Sequence, residues 1–419
     1  MSLWGSQEGA GGSGGGGRMI SLDGPTEVAV TAQGVYTITD YDAFSEYEIT
    51  ASQGSVSRDG DTITYTAPSA EGSDSLTLTV DGESRSISVT VTGLGDVVGV
   101  ALRATGGPGG TFDHIDADGN TITSPDAAWF DAHPIWGAIQ DVVVDGQDMV
   151  DIPKFYYKRG TAGGDAAWWI SPDPIDGFEV FPAFLLDGVE VDSFQVGKYQ
   201  GSESDGKMQS IPGVLPVADI TIGTAISQAE ARNAGTVEGF RLLHYDMWLA
   251  IQWLYLIEHA TMDSQTETGE GRVNESTAAD VDAADVAEAT YRGMVGLWGN
   301  VRPWIDGVRT NSSVIERRTY AGDWASTGET VPNGGDTTFP IDFRTSSPDS
   351  FIPDDYSLSN DNSATVPDYM RWRNSGEYYP HVGGDWGNGS LAGLWFVTCV
   401  VTSSFSSGSF GGRLARVVS

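Results

Sequence analysis

Between Arg18 and Gly93 small polar and apolar residues alternate with a period of two, in the runs TEVAV, VYTIT, YEITA, TITYT, SLTLTV and RSISVTV. That period puts every apolar side chain on one face of an extended strand, so the segment can build a half-buried sheet and cannot build a helix. Asp59-Gly60 and Asp81-Gly82 fall between such runs, where glycine supplies the positive φ of a tight hairpin turn. About seven strands in roughly 76 residues predict a small antiparallel β-sandwich, with no chemistry of its own.

The flanking sequence differs on both sides. Residues 5–17 read GSQEGAGGSGGGG, which cannot bury apolar area, and residues 1–17 form a Gly-rich N-terminal segment expected to be a flexible leader. The alternative is that assembly neighbours hold it, with Trp4 as the anchor. Met1 to Ile20 has no apolar core, so no secretory signal is expected. From 94 to 419 the chain is long, irregular and rich in Trp, Gly and Asp, which predicts a large α+β domain with much irregular structure. Two helices stand out within it. One is expected from about Gln228 to Ala234, with Ser227 and Glu230 spaced as a capping box and Gly235 as its stop. The other, about Asp246 to His259, is apolar on most sides and therefore belongs at the centre of a core.

Charge narrows the setting. Asp and Glu number 58 against 22 Lys and Arg, a formal net charge of −36, and the carboxylates are spread along the chain. At molar salt the Debye length falls to about 3 Å and their repulsion is screened, so a salt-adapted protein is expected. The same charge argues against nucleic acid as a partner, because phosphate binding needs a basic surface. The longest apolar stretch, Tyr245 to Ala260, carries Asp246, Gln252, Glu258 and His259, too short and polar for membrane insertion. A single cysteine, Cys399, excludes an intrachain disulfide framework and a Cys-rich zinc site.

Three blocks carry a resemblance. They are MVDIPKFYYKR (Met149 to Arg159) with DGFEVFPAF and VGKYQGS after it, then GFRLLHYDMWLAIQWLYLIE followed by YRGMVGLWGNVRPWIDGV, and finally GGDWGNGSLAGLWFVTCVVTSSFSSGSFGGRLARV from Gly383 to Val417. Their order and spacing, over roughly Asp131 to Val417, resemble the C-type-lectin-like fold shared by formylglycine-generating enzymes and the variable proteins of diversity-generating retroelements. The alternating segment before them resembles bacterial immunoglobulin-like modules. The resemblance implies a multidomain chain: residues 1–17 as leader, 18–93 as an immunoglobulin-like sandwich and 94–419 as a C-type-lectin-like recognition domain. It further implies a receptor-binding protein of a tailed virus, from a haloarchaeal host given the charge.

Within GLWGNVRPWIDG, Trp298 and Trp304 read as buried anchors and the glycines as points of close backbone approach, so the block is scaffold. The last block interleaves aromatic and small polar residues, the mixture adaptable recognition surfaces use. By position in the family motif it assigns receptor contacts to Trp386, Asn388, Ser390, Trp395, Thr398, Ser404 and Phe405, with Tyr378, Tyr379 and His381 beside them. The alternative for Trp395, Phe396 and Phe405 is a place in the core, Phe396 above all.

An enzyme is not expected. The family's oxidases act through a cysteine pair, whereas Cys399 is alone within VTCVV and reads as a small buried hydrophobe. The five histidines show no metal or nucleophile spacing. Asp116, Asp118 and Asn120 in DADGN resemble part of a calcium loop, but the downstream Glu is missing, so no metal ligand is assigned and structural calcium stays open as the only cofactor. The expected role is attachment: a tail fibre or baseplate adhesin in the virion that recognises a host surface glycan or glycoprotein, sits among other tail proteins and forms a homo-oligomer, most simply a trimer. A decoration protein of head or tail is the alternative, and a carbohydrate-active enzyme a third.

Overall fold

The computed structural model describes residues 21–29, 33–68, 72–92, 96–234, 237–320, 322–332, 337–360 and 363–417. The Gly-rich leader with Trp4, and the stop assigned to Gly235, lie outside the described residues. The chain is β-rich and built from several sheets. Contacts divide it into two compact units, Met1–Gly95 with Thr121–Ser124, and Asp96–Asn120 with Pro125–Ser419.

The first unit is a sandwich of two four-stranded sheets. One orders Ser21–Asp23, Gln33–Thr39, Thr62–Thr66 and Ser55–Asp59; the other orders Glu27–Ala29, Glu83–Thr92, Gly72–Val80 and Tyr47–Ala51. Alternation delivers Tyr36, Ile38, Ile63 and Tyr65 from one sheet and Leu76, Leu78, Val80, Val89 and Val91 from the other into one shared core. At the hairpin between its two longest strands Asp81 and Gly82 both have positive φ, 49° and 87°, the geometry whose twist matches the strands. Asp74 is almost fully buried; its carboxylate accepts from the Ser52 hydroxyl and amide, the Gln53 and Gly54 amides and, across the sandwich, the Tyr65 hydroxyl at 2.8 Å. Burial by itself would raise this carboxyl, but the bonds from Ser52, Gly54 and Tyr65 outweigh it and hold the group well below 3.8.

The second unit is organised around the helix Tyr245–His259, in which every residue from Tyr245 to Ile257 is buried. Such a helix gains stability only inside a core, and Trp136, Trp168, Trp298, Trp372 and Trp395 pack into the same cluster. The His244 ring caps it, accepting from the Asp246 amide at 3.3 Å. Gly307 approaches that cap so closely, with φ 90°, that a Cβ would fall 2.2 Å from His244 Nε2. The other helix differs from expectation. It spans Ile222–Glu230 and is capped by Thr221, which accepts from Thr224 N, while Ser227 sits inside it bonded to Gly223 O. The stripe Ile222, Ala225, Ala229 that packs inward begins before the Ser227–Glu230 spacing, so burial and not that capping signature fixed the start.

Around the central helix lie two five-stranded sheets and one eight-stranded sheet. The second of the five-stranded sheets runs Gln140–Val144, Gln147–Pro153, Ser193–Gly197, Leu414–Val417 and Phe240–Leu242. Where ladders stop, side chains satisfy the backbone. The buried Arg413 guanidinium donates to the carbonyls of Gly197, Lys198, Val295 and Gly296, and the Gln200 amide to those of Gly296, Gly299 and Val301. Asn300 donates to Gln200 Oε1 at 2.8 Å.

Candidate functional site

The eight-stranded sheet carries the site. Its strand Val397–Val401 lies between Glu377–Val382, antiparallel, and Met370–Trp372, parallel. Side chains alternate across it: Trp395, Val397 and Cys399 enter the main core, whereas Phe396, Thr398 and Val400 line a half-open cavity of about 460 Å³. Arg302, Tyr369, His381, Asn388, Leu391, Val401, Phe405 and Phe410 complete its wall.

The aromatic part is ordered by ring contacts. Tyr369 stacks on Phe396 at 5.7 Å, and Phe410 meets Phe405 edge-on at 5.2 Å and His381 at 4.4 Å. Phe405 itself is 39% exposed, on the loop after the strand, which is tethered by the Ser406 hydroxyl donating to Asp219 at 2.8 Å.

The polar part is small and neutral in sum. Arg302 donates through Nε, at 2.9 Å, and Nη2 to one oxygen of Asp385, and its Cζ lies 5.0 Å from the Phe410 ring centroid. The Asp385 amide in turn donates to Asn388 Oδ1 at 2.8 Å, which sets the Asn388 side chain in the wall. His381 is buried and contacts the Thr398 hydroxyl at 2.7 Å. Burial, followed by the positive charge of Arg302, pushes its pKa well below 6.5, so the ring is neutral. What this arrangement offers a ligand is planar apolar contact with a few fixed hydrogen-bonding groups.

Four of the residues singled out in sequence converge here: His381, Asn388, Thr398 and Phe405. Trp386 is half-buried on the adjoining loop, and Ser390 and Ser404 are exposed, all outside the cavity lining. Tyr378 packs against the main core, and Tyr379 donates to Glu377 at 2.7 Å and meets Trp324 edge-on. Trp395 corrects the expectation. It is 0% exposed, with its ring against Tyr255 and Phe351, so it cannot touch a receptor. Phe396, read as the likeliest of the three to lie in the core, is 2% exposed and also forms cavity wall. Position 395, assigned as a contact, faces inward, and in a strand neighbouring positions face opposite ways. Cys399, read as buried, shares its face with Trp395, so strand parity already pointed Trp395 inward. Arg302 and Tyr369 were missed because they come from distant segments; Phe410 lies inside the last block and was not singled out. Trp298 and Trp304 are buried, with their indole N–H groups donating to Gly269 O and Ile220 O.

The lone thiol, Cys399, is buried and pushed up to about 12 by that burial. In the DADGN turn, Asp116 Oδ1 accepts from the Asp118 and Asn120 amides, which makes it a turn-capping group. Among the described residues no cluster of His, Cys, Asp and Glu side chains is placed to hold a metal ion.

No family model matches this chain, and no curated protein shows significant similarity to it. Among solved structures it is similar to Treponema denticola variable protein 1, at 12% identity over 67% of this chain and 99% of that one, with a TM-score of 0.33. It is also similar to PvdO from Pseudomonas aeruginosa, at 14% over 67% and 98% with a TM-score of 0.26. A third is the Yersinia pseudotuberculosis adhesin InvE, at 13% over 62% and 87% with a TM-score of 0.17.

Proposed function

We propose that this chain is a non-enzymatic attachment protein that recognises a cell-surface glycan or glycoprotein through the cavity beside strand Val397–Val401. The observation that carries the reading is the convergence of His381, Asn388, Thr398 and Phe405 on one aromatic-walled cavity, of a volume within the roughly 300–1,000 Å³ usual for small-ligand sites. In this proposal the second unit is a C-type-lectin-like recognition domain and the first an immunoglobulin-like spacer. The chain serves as a tail fibre or baseplate adhesin of a tailed virus of a salt-adapted host, presented as a homotrimer whose weak sites add in avidity.

Labelled protein should adsorb to host cells and compete with the virus, and Phe405→Ala should abolish both while its circular dichroism stays unchanged. Undiminished adsorption by that variant would refute the reading. A monomeric mass in high salt would refute the trimer alone.

A further inference from the structure

We propose that the cavity takes a neutral N-acylated hexose, the acyl amide carbonyl meeting Asn388 and Arg302 and the sugar ring lying against the aromatic wall. This rests on the attachment reading and names the ligand class of the same site.

Charge decides first. Among the described lining residues Arg302 is the sole ionised side chain, and Asp385 already neutralises it through Nε and Nη2. An acidic sugar would therefore meet no unpaired cation in the lining. An amino sugar with a free ammonium would be desolvated beside a guanidinium, with no carboxylate in the lining to receive it. A neutral ligand meets neither penalty.

Hydrogen-bonding polarity decides next. Asn388 spends its Oδ1 on the Asp385 amide, which leaves Nδ2 as a donor without a protein partner among the described residues. Arg302 likewise has Nη1 left over after its two bonds to Asp385. Thr398 and His381 satisfy one another. The lining thus presents donors and, among the described residues, no carboxylate, so a carbonyl, which is the stronger acceptor, gains more here than a hydroxyl. An acetamido group supplies the carbonyl acceptor these donors lack, next to a methyl group that suits Phe410 and Leu391, and its N–H can stay toward water on the open side of the cavity. The apolar face of a pyranose ring is served by Phe405, the most exposed ring of the wall.

The test uses the full chain in molar salt, with saturation-transfer NMR and calorimetry on the methyl glycosides of N-acetylglucosamine, N-acetylgalactosamine, glucose and glucuronic acid, and on N-acetylphenylalanine amide. One N-acetylated glycoside should bind with saturation concentrated on its acetamido methyl, and the glucose and glucuronic acid glycosides should bind at least about tenfold more weakly. Asn388→Asp keeps the acceptor for the Asp385 amide but loses the donor, and should erase that preference; Phe405→Ala should weaken all sugar binding. Equal binding of the glucose glycoside, or better binding of the glucuronide or of the blocked phenylalanine, overturns the proposal. If no sugar binds while Phe405→Ala still abolishes adsorption to cells, the ligand class is wrong and the attachment reading stands. If adsorption survives in that variant, the attachment reading itself fails.

Discussion

The Thr398 hydroxyl lies 2.7 Å from Nε2 of His381, and both side chains are nearly inaccessible, at 3% and 1% exposure, although they form part of a cavity wall. A neutral imidazole that is satisfied by a hydroxyl has little reason to take up a proton, and the charge of Arg302 adds to that resistance. Ligand binding by the folded protein is therefore expected to stay flat between about pH 5.5 and 8. A binding titration with a midpoint near 6.5 would contradict this assignment of His381.

Stability should behave differently from binding. His114, His133, His244 and His381 all belong to the second unit, and burial lowers each of them, His133 to about 4. A depressed histidine favours folding fully above the unfolded value near 6.5, and this contribution is lost as the pH falls through the folded value. For His133 alone the loss amounts to about 3 kcal/mol at most, spread between about pH 6.5 and 4. The first unit has no histidine, and Asp74, held below 3.8, keeps its contribution until the pH drops beneath that value. Tryptophan fluorescence, which among the described residues reports only the second unit, should lose stability to urea from pH 6.5 downward before the amide NMR signals of the sandwich do.

Position on the strand should separate binding from folding. Phe405→Ala is expected to cost the fold less than about 1 kcal/mol, whereas Trp395→Ala and Trp298→Ala should each cost roughly 3–5 kcal/mol because their rings fill the closed core. Urea midpoints of the three variants measure this directly. A mild Trp395→Ala would restore that residue to the binding surface.

Within the sandwich, Asp74→Ala removes an acceptor shared by Ser52, Gln53, Gly54 and Tyr65 and leaves buried donors unpaired. A loss of at least about 2 kcal/mol is expected. Tyr65→Phe should cost less, since it removes one donor and leaves the remaining bonds intact.

The formal charge of −36 predicts cooperative folding at molar NaCl or KCl and loss of structure in dilute buffer. Thermal scans between about 0.1 M and 3 M salt test it, and a constant midpoint would remove the argument for salt adaptation.

Legibility in the sequence followed the range of the interactions. The sandwich could be read from alternation and turn residues because both are local, down to the positive φ at Gly82, whereas the parallel pairing of Glu27–Ala29 with the end of strand Glu83–Thr92 is non-local and departs from the antiparallel expectation. The central helix was legible because thirteen consecutive residues from Tyr245 are buried, which only an apolar segment tolerates. The cavity was legible in part. Asn388, Thr398 and Phe405 lie in one continuous block, but Arg302 and Tyr369 join them through strand pairings that no local pattern encodes. Trp395 shows the characteristic failure: aromatic character marks contact area, and only strand parity says which side receives it.

The side-chain clamp formed by Arg413 and Gln200 has a dynamic consequence. One guanidinium and one amide hold carbonyls from two stretches, 197–198 and 295–301, that share the backbone bond from Val295 N–H to Lys198 O but no ladder. Such stretches cannot fray one bond at a time, because withdrawing a single side chain strands several buried acceptors together. The amides of 295–301 should exchange with solvent deuterium at a common rate, as one cooperative opening, although no strand contains them.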